Sequence, residues 1–184
     1  MSLRVANRYR TANYRVTISK DVVGVEICAA LKNSYAIIVG ACDGIMRRKG
    51  QKDMNNTKAL VFSSAVGEMR RFVTAMGGDE ETVLGLAGIG DLEVTCKGGR
   101  NSEFGCLLGS GMRVDEALNE MQRRGLTVEG HPTAKKAYRL ALKLEMEGKL
   151  KIQKDLPLVS MVYHVLYQSG DVGKKMISFV SKIQ

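Results

Sequence analysis

The chain has 184 residues, 45% of them hydrophobic and 26% charged, with ten methionines, two prolines and no tryptophan. Those values describe one globular domain, with an appendage at most, large enough to bury its own core and better suited to helices than to a β-sandwich. Twenty-eight Lys and Arg against nineteen Asp and Glu give a net charge of +9, which fits a polyanion partner or a small anionic substrate.

The basic excess is uneven. Residues 1–20 carry Arg4, Arg8, Arg10, Arg15 and Lys20 with no acid, and the remaining 23 basic residues nearly balance the acids at +4. Aromatic content is 5% and no helix-turn-helix, zinc-finger or RNA-binding-sheet pattern occurs, so nucleic acid ranks last among the expected partners. Cys28, Cys42, Cys96 and Cys106 form no C-x-x-C pair and lie in apolar patterns, as reduced core residues of a cytoplasmic protein do. With two histidines no metal centre is expected, and the N-terminus has no apolar signal core.

In chain order, Asn13–Lys20 alternates Tyr14, Val16 and Ile18 with polar neighbours, which predicts a short strand with no partner in the sequence. Val22–Cys42, VVGVEICAALKNSYAIIVGAC, predicts a long central helix capped by Asp21 and running to about Gly44 or slightly beyond. A helix apolar all round must be covered all round, and Glu26 and Lys32 near mid-span make a membrane a costly cover, so other helices are expected to wrap it. Lys32 then stands where charge is hard to solvate: either its stem packs while its amine reaches water, or the ammonium is paired, as in many active sites.

Arg47–Met54 reads as a charged loop. Asn55-Asn56-Thr57 offers caps for a helix over Lys58–Met76, closed by Gly77-Gly78. A short turn after Asp79, the glycine-rich Leu84–Leu92, and helices over Asp91–Cys96, Asn101–Leu108, Val114–Arg123, Thr133–Glu147, Leu158–Tyr167 and Val172–Ile183 complete the prediction. From residue 21 onward the chain is expected to be all-α.

The densest polar patch is Asp91-x-x-x-Thr95 followed by Gly98-Gly99-Arg100-Asn101. Asp91 and Thr95 share a helical face, and an arginine with asparagine at a following helix N-terminus would make a phosphate cradle. The same pieces also suit a helix cap, a Gly-Gly linker and a surface arginine. GLAGIG (Gly85–Gly90) is no dinucleotide fingerprint, for want of a strand and a βαβ setting.

VEICAALKN (Val25–Asn33), NNTKAL (Asn55–Leu60), GLAGIGDLEVTC (Gly85–Cys96), GGRN (Gly98–Asn101) and VEGHPTAK (Val128–Lys135), in that order, closely resemble the C-terminal half of NAD(P)-dependent glycerol-3-phosphate dehydrogenase. The tail LPLVSMVYHVLYQSGDVG resembles the end of that half. The chain departs from the family pattern at Met54-Asn55, where the family usually has Gly-Asp. The resemblance implies a helical domain of the 6-phosphogluconate dehydrogenase C-terminal-domain-like type around a buried central helix. It implies that Lys32 exchanges the proton on the substrate's C2 oxygen, with Asp91 beside it and Thr95 in the same cluster. It implies that Gly99, Arg100 and Asn101, helped by Asn33, hold the phosphate of a three-carbon substrate. Arg100, Thr127 and Glu129 would face the nicotinamide of NAD or NADP. Residues 1–20 would be a basic arm and remnant strand of a nucleotide-binding domain not otherwise in this sequence, and 21–184 the substrate-binding domain. The expected outcome is a chain that folds, turns over little or no substrate alone, and exposes an apolar cleft favouring a homodimer. The other reading is a non-catalytic interaction module descended from such an enzyme.

Overall fold

A computed structural model describes residues 2–50 and 53–182. Helix α1 (Ser2–Tyr9) and an extended stretch precede the long α2 (Val22–Lys49) and α3 (Asn55–Ala75). A short α4 (Glu81–Leu84) leads through a π-helical turn (Leu86–Gly90) into α5 (Asp91–Cys96). Then come α6 (Arg100–Gly109), α7 (Val114–Arg123), α8 (Gly130–Met146), α9 (Ile152–Asp155), α10 (Pro157–Tyr167) and α11 (Val172–Val180). The domain is all-α.

The strand expected at Asn13–Lys20 does not form. Its alternation is real, but a strand needs a neighbour to exchange backbone hydrogen bonds with, and no strand exists among the described residues. Tyr14 and Ile18 stand exposed, while Arg10 Nε donates to the Val16 carbonyl at 2.9 Å and folds the stretch back towards α1. The helix α1 itself went unpredicted: its apolar residues Leu3, Ala6 and Tyr9 share a face over barely two turns, among the basic residues Arg4 and Arg8.

Asp21 caps α2 as predicted, accepting from the Gly24 N–H at 2.9 Å. Its other oxygen accepts from Thr82 Oγ1 (2.6 Å) and the Asp79 N–H (3.0 Å), tying the start of α2 to α4; the Thr82 hydroxyl, foremost, holds the carboxyl below its ordinary pKa. The helix outruns the expected end, stopping only at Gly50 in the left-handed region (φ 59°). Arg47, Arg48 and Lys49 belong to its last turn, where cations complement the helix dipole. The rest of the predicted loop includes residues 51 and 52, outside the described residues, as is Ile183 of the predicted last helix.

Cover around α2 is complete only from Ser34 to Cys42; Ala29 and Ala30 nearer the N-terminus are exposed. Along the covered part α6 lies backbone to backbone. A Cβ on Gly40 would sit 2.1 Å from the Ser102 carbonyl oxygen, one on Gly105 1.8 Å from that of Ile37, and one on Gly109 2.1 Å from that of Ala41. A side chain at any of these positions must push a main chain away, since packed interiors have no slack. Gly105→Ala is therefore expected to cost about 3 kcal/mol of stability, read as a lower urea midpoint with unchanged slope.

On the inward stripe of α3, between Ala65 and Phe72, stands Glu68, a fully buried acid. No side chain of its own caps α10; Glu68 does so from across the core, accepting from the N–H groups of Leu158 and Val159 (the latter at 3.0 Å) and from Tyr35 Oη at 3.0 Å. Burial pushes its carboxyl up to about 7, against the pull of those hydrogen bonds.

Candidate functional site

Lys32 sits in the N-terminal half of α2, just before the continuously buried stretch begins at Ser34. Its side chain is half-buried and its ammonium is paired. It meets Asp91 Oδ2 at 2.5 Å, with the lysine side chain 22% and the aspartate 37% exposed. The pairing alternative raised by the sequence is the one realised.

Asp91 arrives there through the glycine run. The π-helical turn closes with the Gly90 N–H on the Gly85 carbonyl at 3.2 Å, and Gly88 lies so close that a Cβ would stand 2.0 Å from the Val83 carbonyl oxygen. Such single wide turns recur at functional sites. The turn delivers Asp91 as the first residue of α5, facing Lys32. These glycines thus shape a turn already filled by protein; with no strand among the described residues, nothing here resembles a pyrophosphate cradle. Thr95 shares the expected face, but its hydroxyl donates to the Asp91 main-chain carbonyl at 2.6 Å and leaves the carboxylate to Lys32.

Gly99, extended (φ −71°, ψ 162°), is the residue before α6 and has no side chain to cap it. The first-turn N–H groups of α6, from Arg100 to Ser102, therefore have no acceptor within the helix and point outward with its positive end. Arg100 extends towards the α7–α8 connection: Nη1 donates to Thr127 Oγ1 at 2.9 Å and Nη2 to Glu129 Oε1 at 3.1 Å.

Asn101 is 5% exposed. Its Nδ2 donates to Asn33 Oδ1 at 2.9 Å, and its Oδ1 accepts from the Gly130 N–H at 2.8 Å. Its side chain thus bridges α2 and the start of α8, and its backbone N–H lies in the first turn of α6. One of the two Nδ2 hydrogens is used in the bond to Asn33, so the other can still be offered to a ligand.

The structure places the nine residues singled out from the sequence in two groups. Lys32, Asp91 and Thr95 make one; Arg100, Thr127 and Glu129, with Gly99, Asn33 and Asn101, make the other. The two groups are joined along the chain at the adjacent residues Lys32 and Asn33 of α2. Sequence reasoning missed Ser34, whose buried hydroxyl donates to the Gly130 carbonyl at 3.2 Å, and Gly130 itself. The available signal was a hydroxyl inside an otherwise apolar run, directly after Lys32-Asn33.

Chemically, the arrangement offers a proton-bearing ammonium oriented by a carboxylate, beside a helix N-terminus and a guanidinium that can receive an anion. All four cysteines are free, and three of them make poor nucleophiles, since burial raises the thiols of Cys28 to about 11 and of Cys42 and Cys96 to about 12. No group of three His, Cys, Asp or Glu side chains capable of holding a metal ion occurs among the described residues.

Residues 21–176 match the family described as NAD-dependent glycerol-3-phosphate dehydrogenase C-terminus. A relative from Archaeoglobus fulgidus, "NADP(+)-dependent glycerol-3-phosphate dehydrogenase", is 42% identical over 94% of this chain and 49% of its own length. A "Glycerol-3-phosphate dehydrogenase [NAD(P)+]" from Clostridium botulinum is 40% identical over 91% of this chain and 46% of its own. The crystal structure of glycerol-3-phosphate dehydrogenase from Coxiella burnetii superposes with a TM-score of 0.83 at 31% identity, over 97% of this chain and half of that one. The enzyme from Saccharomyces cerevisiae does so with a TM-score of 0.79 at 28% identity, over 96% and 48%. The chain spans about half the length of the curated relatives it matches.

Proposed function

The chain belongs to the NAD-dependent glycerol-3-phosphate dehydrogenase C-terminal family, and we propose that it is the substrate-binding, proton-transferring half of such an enzyme. The reaction is the interconversion of dihydroxyacetone phosphate and sn-glycerol 3-phosphate. The observation that carries this reading is the Lys32–Asp91 pair one residue from the Asn33–Asn101 contact and the open N-terminus of α6.

A bound reduced nicotinamide would supply the hydride to the carbonyl carbon. Negative charge then develops on the carbonyl oxygen, and the Lys32 ammonium, held by Asp91, neutralises it and donates its proton; in the reverse direction the amine takes that proton back. The substrate phosphate does not react, so its binding energy serves to orient the rest of the molecule. We assign that grip to the backbone N–H groups of Gly99, Arg100 and Asn101 and to the Arg100 guanidinium, which would trade Glu129 for the phosphate. Thr127 and Glu129, at the rim, fit the nicotinamide end of NAD or NADP and no more of it.

The adenine-binding part must then come from a nucleotide-binding half. We assign residues 1–20 to that half and 21–184 to the substrate half, and place the protein in the cytoplasm on the strength of its free thiols. Leu3, Val5, Tyr9, Tyr14 and Ile18 in the first unit, and Val22, Val23, Leu84, Leu86 and Val94 around Asp21 and Asp91, are exposed apolar residues fitting such a contact. The same exposure favours a second reading, a non-catalytic interaction module or homodimer. Retention of a paired lysine in half-buried surroundings speaks for the enzyme.

Titration of the chain with glycerol 3-phosphate, followed by amide NMR, tests the reading. Shifts are expected at Gly99–Ser102 and at Lys32; a spectrum unmoved at millimolar ligand overturns it. Oxidation of NADH with dihydroxyacetone phosphate should stay at background for this chain alone and appear when a nucleotide-binding half is supplied. Arg100→Ala is expected to weaken glycerol 3-phosphate binding by roughly 10- to 100-fold, as loss of a charged hydrogen-bonding group does. Arg100→Lys should recover only part of it, since an ammonium cannot bond bidentately.

A further inference from the structure

We propose that Ser34 is a positioning residue for the phosphate grip, acting through Gly130; this rests on the assignment of Arg100 to the substrate phosphate. Ser34 lies on α2 two positions after Lys32 and is 3% exposed. Its hydroxyl donates to the Gly130 carbonyl at 3.2 Å, while the Gly130 N–H donates to Asn101 Oδ1 at 2.8 Å. Both polar groups of one residue are therefore pinned, one by α2 and the other by α6. Gly130 is also seated without clearance: a Cβ there would stand 2.4 Å from the Asn33 carbonyl oxygen and 2.8 Å from Asn101 Oδ1.

What Gly130 fixes is the segment before it. Glu129 is its neighbour and Thr127 lies two residues further back, and these two receive the Arg100 guanidinium. That contact is too wet to hold itself in place. The side chains of Arg100 and Glu129 are 48% and 58% exposed, and ion pairs of that kind contribute little rigidity. A buried hydrogen bond near its end is worth more, because no water competes for the groups. The path runs from Ser34 through Gly130 and Glu129 to Arg100, and returns through the chain-adjacent Asn101 to Gly130. Ser34 therefore sets where the guanidinium waits, on the same helix that carries the Lys32 ammonium.

Removing the hydroxyl should do little to stability. Gly130 opens α8, so its carbonyl keeps the acceptor direction used by the helix's own ladder. The loss is positional. Ser34→Ala deletes the donor, and Ser34→Cys keeps nearly the same volume with a weak donor, so one of the pair survives any packing defect of the other. Both are measured in this chain by calorimetry with glycerol 3-phosphate and by the Arg100 Nη–H resonances, the groups that contact Thr127 and Glu129, in ligand-free protein. The expected result is about tenfold weaker binding in each variant. The Arg100 signal should move to the position and exchange rate of a solvated arginine, with the thermal midpoint lowered by only a few degrees. Wild-type affinity and an unmoved Arg100 signal in both variants overturn the proposal, whatever the midpoint does, because a merely structural serine would change only the latter. If wild-type protein fails to bind glycerol 3-phosphate, the substrate reading falls and this proposal's phosphate role with it. The Arg100 resonance then still reports separately whether Ser34 holds the loop.

Discussion

Lys32→Ala, introduced into the chain assembled with its nucleotide-binding half, is expected to slow dihydroxyacetone phosphate reduction by about 10³-fold, within the range general acids supply. The substitution removes the ammonium proposed as donor to the developing alkoxide. The Arg100 and α6 contacts stay in place, so KM for dihydroxyacetone phosphate should change far less than kcat, as when an interaction made chiefly in the transition state is removed. Asp91→Asn is the companion measurement. It preserves shape and leaves the ammonium without its carboxylate, so an intermediate loss is expected. NADH oxidation at saturating substrate reads both. A Lys32→Ala enzyme with a rate close to wild type would sink the assignment, and with it the meaning given to the 2.5 Å contact.

Glu68→Ala is expected to cost about 3–5 kcal/mol of folding stability, because it deprives three buried donors of their acceptor: two N–H groups at the start of α10 and the Tyr35 hydroxyl. Its titration has a sign of its own. The folded-state value of about 7 lies above the ordinary 4.5, so between those values the folded protein holds a proton that the unfolded chain has lost. This group's contribution is then fully present below about pH 4.5 and is lost as pH rises through about 7. Wild-type stability should therefore fall, relative to Glu68→Gln, between pH 5 and pH 8. Urea midpoints of the two proteins across that range test it; parallel curves would show that burial does not govern this carboxyl.

Much of this architecture was legible from residue patterns. The apolar run around Lys32, the glycine stops and the Pro157 start each encode a local preference strong enough to survive packing. What escaped did so for identifiable reasons. Residues 13–20 alternate like a strand, yet pairing is a property of two segments and cannot be read from one. Arg47, Arg48 and Lys49 looked like loop because charge was weighed above the helix-end preference for cations. Asn55-Asn56-Thr57, read as caps, instead lie in the first turn of α3, and Met54 precedes them without a capping hydrogen bond. The site was legible where a charge sat in an unlikely place, as at Lys32, or where the family resemblance named it. Ser34 and Gly130 escaped because a small hydroxyl and a glycine announce nothing until a partner 96 positions away is seen beside them.

The glycine contacts between α2 and α6 have a consequence for how this half can move. Side chains can change rotamer and let helices slide; two main chains in direct touch share no such lubricant. Lys32 on one helix and the N-terminal end of the other must therefore travel as a single rigid wedge. If the chain works as the proposed half-enzyme, closing on a partner half would swing that wedge whole and leave local adjustment to the exposed arm of Arg100.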